Sequence, residues 1–330
     1  MESQMILQAF GISDIMTSRI GLGLAALGRP GYINLGHGKD LERNYSEGAM
    51  ERRTHELLSA AYSAGIRYFD AAQSYGKAEL FLSNWLTNQH PEQTTVGSKW
   101  GYYYTANWKV EADKHEIKDH TLPRLKQQWP ESRQRLNPYL KIYQIHSATF
   151  ESGVLENNEV LEALEKIKAE GYTIGLSLSG VQQADVFAKA LSIVVNEERL
   201  FGAVQVTYNL LEKSAEKQMK KAHDAGVGVI VKEALANGRL TSRNPKASYL
   251  PPLQRMALYH EVGEDALALA FLLAKPFVDI ILSGATTVEQ LQSNLESQEV
   301  DFSPKELYAL EKLEIPKEDY WQDRGQLPWN

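Results

Sequence analysis

A regular alternation of short apolar runs with longer helical patterns is the feature of this 330-residue chain that most restricts its fold. The short runs are apolar throughout and rich in β-branched residues, which is typical of parallel strands covered on both faces. Eight of them are predicted to be strands, at residues 19–24, 66–70, 94–99, 140–146, 173–177, 203–208, 228–232 and 279–282. Because strands that alternate with helices form parallel sheets, the chain is expected to be an α/β protein.

Glycine residues mark the ends of three predicted helices. Gly65, Gly171 and Gly226 each lie one or two residues before a predicted strand. Glycine closes a helix at little cost because it adopts the left-handed conformation readily. In the helix that ends at Gly171, Asn158 is the expected N-cap. The repeated order of helix, glycine and strand indicates a series of βα units.

Eight βα units predict a (β/α)8 TIM barrel, whose active site lies at the carboxyl ends of the strands. The alternative is a doubly wound sheet, which normally has a glycine-rich phosphate turn followed at once by a helix. Here Gly21 and Gly23 are followed by an alanine at the third position and then by an irregular segment. Since no Pro-, Gly- or Ser-rich linker divides the chain, we expect a single domain over residues 1–330, with residues 28–48 and 315–330 as lid or pocket loops at the mouth.

Composition excludes several classes of function. The formal net charge is −7, with acidic and basic residues interspersed, whereas a nucleic-acid surface needs clustered Lys and Arg. The absence of cysteine rules out disulfides, thiolate zinc sites and a Cys nucleophile, and the eight histidines show no metal-ligand spacing. No signal peptide is evident, and the longest apolar run, residues 266–274, is too short to span a bilayer. A cytoplasmic enzyme without nucleic-acid or membrane partners is therefore expected.

Four polar residues lie where a barrel would gather its catalytic groups. Asp70, Lys99 and His146 end the second, third and fourth predicted strands, and Tyr75 follows Asp70 by five residues. Because the carboxyl ends of barrel strands open at one mouth, these side chains are expected to converge.

Together these residue types can deliver a proton to a carbonyl oxygen. A free tyrosine titrates near pH ~10, so Tyr75 needs a stabilised phenolate in order to act as an acid. Lys99 is expected to supply that stabilisation by its charge, and Asp70 to keep Lys99 protonated and in place. A neutral His146 would orient the substrate oxygen. The reagent still required is a hydride donor, the role of a nicotinamide cofactor.

With these residues in place, the chain resembles the aldo-keto reductases over nearly its whole length. The most specific similarities are residues 69–76, which read Phe-Asp-Ala-Ala-Gln-Ser-Tyr-Gly, the pair Ser98-Lys99, and residues 145–147, which read Ile-His-Ser. The resemblance implies a barrel that binds NADP(H) across its mouth, with NAD(H) as the other option, and that interconverts carbonyl compounds and alcohols with Tyr75 as the general acid or base.

The resemblance also implies a set of cofactor contacts in the second half of the chain. They fall at the nicotinamide carboxamide, beside the nicotinamide ring and at the adenosine phosphate. The residues at these positions are Ser177, Gln205, Lys232, Leu235, Gly284, Thr286, Thr287, Gln290 and Asn294. A helix that begins near Thr287 suits a phosphate, because its free N–H groups and its dipole face the anion. A second interpretation is that Thr287 is an N-cap and that Gln290 reaches back to it as a capping box.

The chain departs from the family pattern at three positions in the cofactor-binding segments. Leu178 stands where many members have an asparagine that binds the cofactor, and Lys232 lies near the place of a stacking aromatic ring. A cation there disfavours the positively charged oxidised nicotinamide unless an acid such as Glu233 pairs with it. Gln290 replaces an arginine that binds the 2′-phosphate in many members, which weakens the preference for NADP(H) over NAD(H).

Two other functions compete with the reductase. The first is a Schiff-base lyase, in which Lys232 would attack a carbonyl from an apolar pocket. The second is a non-catalytic module that binds NADP as a signal, suggested by the altered residues Leu178 and Lys232. Aromatic residues in the loops, above all Trp100 after Lys99, are expected to form the substrate pocket. The small-molecule carbonyl or alcohol substrate, the direction of the reaction and the oligomeric state do not follow from the sequence.

Overall fold

Eight parallel strands form a closed barrel, which confirms the predicted (β/α)8 fold. The computed structural model describes residues 6–244 and 247–330. In chain order the barrel strands are β1 (Ile20–Gly23), β2 (Tyr68–Asp70), β3 (Thr95–Trp100), β4 (Leu140–Ala148), β5 (Thr173–Leu178), β6 (Ala203–Thr207), β7 (Gly228–Lys232) and β8 (Ile280–Ser283). β8 pairs with β1 in parallel and closes the barrel, with Leu282 opposite Gly21. Each predicted strand agrees with an observed one to within two residues at either end.

Helices surround the barrel and bury their apolar faces against it. The described α-helices are His37–Asp40, Glu47–Ser63, Ala78–Gln89, Leu122–Leu136, Asn158–Ala169, Gln183–Leu191, Glu216–Asp224, Leu250–Tyr259, Glu264–Leu273, Val288–Leu295, Pro304–Glu311 and Lys317–Gly325. Short 3-10 turns occur at Val154–Glu156, Ala236–Gly238 and Glu296–Glu299. None of the helices in the described ranges is both long and apolar enough to cross a bilayer.

The glycines predicted to end helices have the backbone conformation that this role requires. Gly65, Gly171 and Gly226 have φ angles of 93°, 97° and 75°. The predicted N-cap of Asn158–Ala169 was wrong by one residue. Asn157 has extended backbone angles, and its side chain accepts the Val160 N–H, whereas Asn158 already belongs to the helix.

An antiparallel hairpin closes the amino-terminal end of the barrel. It pairs Leu7–Ala9 with Met16–Ser18. Phe10, in the turn between these strands, packs inside the barrel with Tyr68, Ile142 and Ile230. This end is filled by side chains, so the opposite end, where the strands point their carboxyl termini, is left for a ligand.

Three segments cover that open end. One is residues 28–48, the second is the hairpin of Tyr102–Tyr104 with Glu116–Lys118, and the third is residues 315–330. The first and third are joined because Tyr32 and Asn330 exchange backbone hydrogen bonds of 3.1 and 3.0 Å. Residues from both segments line the cavity that is described below.

Candidate active site

The four polar residues singled out in the sequence converge at the mouth. Asp70 ends β2, Lys99 and His146 lie near the ends of β3 and β4, and Tyr75 stands in the loop after β2. The Tyr75 and His146 rings meet edge to face, with centroids 5.3 Å apart. The Lys99 Nζ atom lies 4.9 Å from the Tyr75 ring centroid.

Asp70 and Lys99 form an almost fully buried ion pair. Lys99 also donates to the Ala71 carbonyl over 2.9 Å. The second carboxylate oxygen of Asp70 accepts hydrogen bonds from the Tyr68 hydroxyl at 3.2 Å and from the Gln205 amide at 2.9 Å. Gln205, predicted to hold the cofactor, thus has one amide hydrogen committed to Asp70.

His146 is held in the neutral form. Its Nδ1 lies 3.3 Å from the Ser74 hydroxyl, and its backbone carbonyl accepts from His120 Nε2 at 2.8 Å. Burial lowers the pKa of His146 well below the ordinary value, and the charges of Lys99 and Arg29 lower it further. A neutral ring bonded through Nδ1 leaves its other nitrogen to interact with a ligand.

The pKa of Tyr75 lies well above its ordinary value. Burial is the main cause, and the nearby carboxylate of Asp70 is the next. The sequence-based expectation that Lys99 stabilises the phenolate stays a prediction, since the strongest influences on this pKa are burial and Asp70. Tyr75 is therefore fully protonated at neutral pH, which is the state that an acid needs before it reacts.

A cavity of about 570 Å³ begins at these residues and runs along the mouth of the barrel. Tyr75 and His146 line one end. The other end reaches the start of Val288–Leu295. Seven of the predicted cofactor residues line it: Gln205, Lys232, Leu235, Gly284, Thr286, Gln290 and Asn294. No group of three or more acidic or histidine side chains suited to a metal occurs in the part of the chain that the structure describes.

The other two predicted cofactor residues lie outside the cavity lining. The Ser177 hydroxyl is buried and accepts the Ser147 N–H at 2.8 Å. Thr287 is the N-cap of Val288–Leu295 and accepts the Gln290 N–H at 3.3 Å. Both side chains thus have structural partners, as the N-cap interpretation of Thr287 anticipated.

The distal end of the cavity suits an extended dinucleotide. A Cβ atom built on Gly284 would meet nothing closer than Asn34 Nδ2 at 4.0 Å, so the backbone there borders open space. The adjoining helix Val288–Leu295 directs its amino terminus to the same region, where free N–H groups favour a phosphate. These features fit a nicotinamide dinucleotide cofactor.

Gln290 is tied to the backbone rather than free. Its side-chain oxygen accepts the Thr286 N–H at 2.9 Å, one residue before the position that a capping box requires. The Thr286 hydroxyl lies 3.2 Å from the Asp40 carboxylate. Asp40 in turn makes two 2.6 Å bonds to the Arg243 guanidinium. Among the residues that the structure describes, the Arg243 cation beside this group is therefore already paired with a carboxylate.

Lys232 lies in the cavity wall at the end of β7. It donates to the Thr207 hydroxyl at 2.7 Å and to the Ser179 hydroxyl at 3.2 Å. Burial lowers the pKa of Lys232 to about 8. Glu233, at 3.8 Å, is held more tightly by Arg324, whose Nη2 lies 2.7 Å from it. Glu233 therefore pairs chiefly with Arg324 and compensates Lys232 only in part.

The prediction for Trp100 needs correction. Its side chain is fully buried, meets the His120 ring edge to face and does not line the cavity. Successive side chains of a strand point to opposite faces. Because Lys99 points into the mouth, Trp100 must point away from it.

Several cavity residues were not singled out by the sequence analysis, although most of them lie in its predicted pocket loops. They are Arg29, Asp40, Glu116 and Arg324. The sequence feature that could have identified them is their position in irregular segments rich in aromatic and charged residues. Their pairings, however, join residues far apart in sequence and could not be read from it.

The match to a sequence model of the Aldo/keto reductase family covers residues 19–315, so the chain belongs to this family. It is 24% identical over 314 residues to the "Uncharacterized oxidoreductase YqkF" of Bacillus subtilis, covering 87% of this chain and 89% of the relative. It is 23% identical over 333 residues to the "NADH-specific methylglyoxal reductase" of Escherichia coli, covering 92% and 96%.

The fold also agrees with that of a solved family member. The aldo-keto reductase AKR11C1 from Bacillus halodurans, in its holo form, superimposes with a TM-score of 0.71 at 22% identity, covering 94% of this chain and 97% of the other. Family membership supports redox chemistry between carbonyl compounds and alcohols. It gives no support to a Schiff-base lyase or to a non-catalytic cofactor sensor.

Proposed function

We propose that this protein is a nicotinamide-dependent oxidoreductase that interconverts aldehydes or ketones and alcohols, with Tyr75 as the general acid or base. The observation that carries the proposal is the convergence of Tyr75, His146 and the Asp70–Lys99 pair at one end of a long cavity. A bound nicotinamide cofactor supplies the hydride that the carbonyl carbon receives.

Tyr75 and His146 act on the substrate oxygen. The protonated phenol of Tyr75 donates a proton to the oxygen as negative charge develops there, and the free nitrogen of His146 fixes that oxygen by a hydrogen bond. Their edge-to-face packing supports a common target for both groups. In the reverse direction the same phenolate accepts the proton from an alcohol.

The Asp70–Lys99 pair supports Tyr75 during that transfer. When Tyr75 loses its proton, the phenolate forms beside the Lys99 ammonium, whose Nζ is 4.9 Å from the ring centroid. An opposite charge at this range in a buried site favours the ionised form. Asp70 and the Ala71 carbonyl keep the ammonium in place.

The cofactor is proposed to extend from Lys232 to Gly284 and the start of Val288–Leu295, with its adenosine end near Thr286. Carboxylates of Asp40 and Glu289 line that end, and the Arg243 cation is paired with Asp40. A 2′-phosphate would meet these carboxylates, while a ribose hydroxyl could donate to one of them. We therefore propose that NAD(H) is the better ligand, although the sequence resemblance favoured NADP(H).

The decisive experiment is to follow NADH and NADPH consumption with a panel of reactive aldehydes in the wild type and in Tyr75→Phe. Removing the hydroxyl should lower turnover by about 10²–10⁴-fold, the usual contribution of a positioned acid. Tyr259→Phe is the matched control, because that ring is 78% exposed and does not line the cavity. Undiminished turnover in Tyr75→Phe would reject the assignment of the acid.

A further inference from the structure

Arg29 is a buried cation in the cavity for which the reaction has no use. It lies 3% exposed in the wall of the cavity, with its Cζ 5.3 Å from the Tyr75 ring centroid and 5.0 Å from that of Trp329. Burying a guanidinium among aromatic rings is costly unless its N–H groups find acceptors. The burial of the Arg29 guanidinium beside the reacting phenol therefore calls for a functional explanation.

The known partners of Arg29 leave part of the guanidinium free. Both of its hydrogen bonds use Nη1, which donates to the Ser74 carbonyl at 3.2 Å and to Glu116 at 2.9 Å. Nε is buried without a partner among the described residues. A guanidinium binds a carboxylate best through two parallel N–H groups, so the contact with Glu116 alone does not satisfy it.

The cations at the catalytic end of the cavity are not all paired in the same way. Lys99 and Arg324 are paired with Asp70 and Glu233, which are both buried. Among the described residues, Arg29 forms its ion pair with Glu116, whose side chain is 25% exposed. The partner of Arg29 is therefore the carboxylate that a ligand could most easily replace.

We propose that the substrate is a short oxo acid and that Arg29 is the residue that binds its carboxylate. This inference rests on the proposed function, because it assumes that the reacting carbonyl lies at Tyr75. The short distance from Arg29 to the Tyr75 ring sets the carboxylate only a few carbons from that carbonyl. Glu116 occupies the guanidinium in the absence of substrate and remains at its edge when the substrate binds.

The test compares acids with their neutral methyl esters. Pyruvate and 4-oxobutanoate are assayed against methyl pyruvate and methyl 4-oxobutanoate, with NADH and NADPH, and the readout is the ratio of kcat/KM for acid and ester. In the wild type the better acid should exceed its ester by roughly tenfold or more, as expected for a charge-assisted bidentate contact. Arg29→Gln should bring the ratio to one or below, and Arg29→Lys should restore part of it.

Two further variants keep the test interpretable if Arg29→Gln folds poorly. Glu116→Gln removes the competing carboxylate and should raise the ratio of acid to ester. Arg133→Gln is the matched control, because Arg133 is 49% exposed and pairs with Glu170 on the outside of the protein. An unchanged ratio in Glu116→Gln, or a changed one in Arg133→Gln, would count against the proposal.

Failure of the carboxylate site at Arg29 and failure of the proposed reductase function give different results. Turnover of the esters without preference for either acid would overturn the role of Arg29 and leave the reductase standing. If neither acids nor esters are turned over, the reductase itself is in doubt, and binding of butanoate and butanamide, followed by tryptophan fluorescence, decides about Arg29. Tighter binding of butanoate that is lost in Arg29→Gln supports the carboxylate site, and equal binding rejects it.

Discussion

The indole of Trp329 lies parallel to the imidazole of His115, with ring centroids 3.7 Å apart and 5° between their planes. This contact joins the end of the chain to the hairpin that covers the mouth. Trp329 also lines the cavity and meets the Tyr32 ring edge to face. Three segments thus cover the catalytic end of the cavity, and two of them contact the third through Trp329.

Trp329→Ala should weaken substrate binding more than it slows the chemical step. The described ring contacts of the indole are with His115 and Tyr32, and the Arg29 guanidinium lies over it. Its loss should therefore remove binding that is equal in the ground and transition states. We expect KM to rise by roughly tenfold with kcat changed far less, as measured by steady-state kinetics. Tyr308→Ala, at a position 63% exposed, provides the control. A large fall in kcat at constant KM would show that Trp329 acts on the chemical step and not on substrate binding.

Asp70→Asn should destabilise the fold as well as the site. The substitution leaves the Lys99 ammonium buried without its counter-charge, and breaking one side of a buried pair costs about 3–5 kcal/mol. Urea unfolding followed by circular dichroism measures this loss in the free energy of unfolding. Glu47→Gln removes a partner from the exposed Lys77 pair and should cost less than about 1 kcal/mol. Similar losses in both variants would show that the buried pair has no special role in stability.

Local patterns predicted the barrel and the placement of the four polar residues, because each depends on short-range rules. Apolar runs define the strands, and the end of a barrel strand fixes which mouth a residue faces. Successive side chains of a strand point to opposite faces, and this rule would have placed Trp100 on the face opposite to that of Lys99. Long-range pairings could not be predicted: Arg29 and Glu116 are 87 residues apart, and Asp40 and Arg243 are 203 apart.

The affinity for the oxidised cofactor should depend on pH through Lys232. Its pKa is about 8, so the side chain is mainly a cation below that pH and mainly neutral above it. A cation beside the proposed nicotinamide site repels the positively charged ring of NAD⁺, whereas the uncharged dihydronicotinamide ring of NADH is not repelled. The Kd of NAD⁺ relative to that of NADH should therefore fall as the pH rises from 7 to 9.

Fluorescence titrations of both cofactor forms at several pH values measure this ratio. In Lys232→Met the ratio should be lower than in the wild type at pH 7 and nearly constant over the same range. Lys221→Met, on the outer helix Glu216–Asp224, serves as the control. A pH-dependent ratio that persists in Lys232→Met would assign the titration to another group.

The relative affinity for NADH and NADPH should depend on Asp40. In the wild type its carboxylate lies 3.2 Å from the Thr286 hydroxyl and binds both Nη atoms of Arg243, so a 2′-phosphate would meet a negative charge beside a cation that is already paired. Asp40→Asn removes the negative charge and releases Arg243 to bind the phosphate. We expect the Kd for NADPH to fall by roughly tenfold, a change of about 1.4 kcal/mol, while the Kd for NADH stays equal or rises.

Separate calorimetric titrations with NADH and NADPH measure the effect. The double variant Asp40→Asn with Arg243→Gln tests its cause, because the gain for NADPH requires the released guanidinium. If that double variant still binds NADPH better than the wild type does, relief of repulsion alone explains the change. If the wild type already prefers NADPH, the 2′-phosphate lies away from Asp40, and the adenosine end of the cofactor must be placed elsewhere along Val288–Leu295.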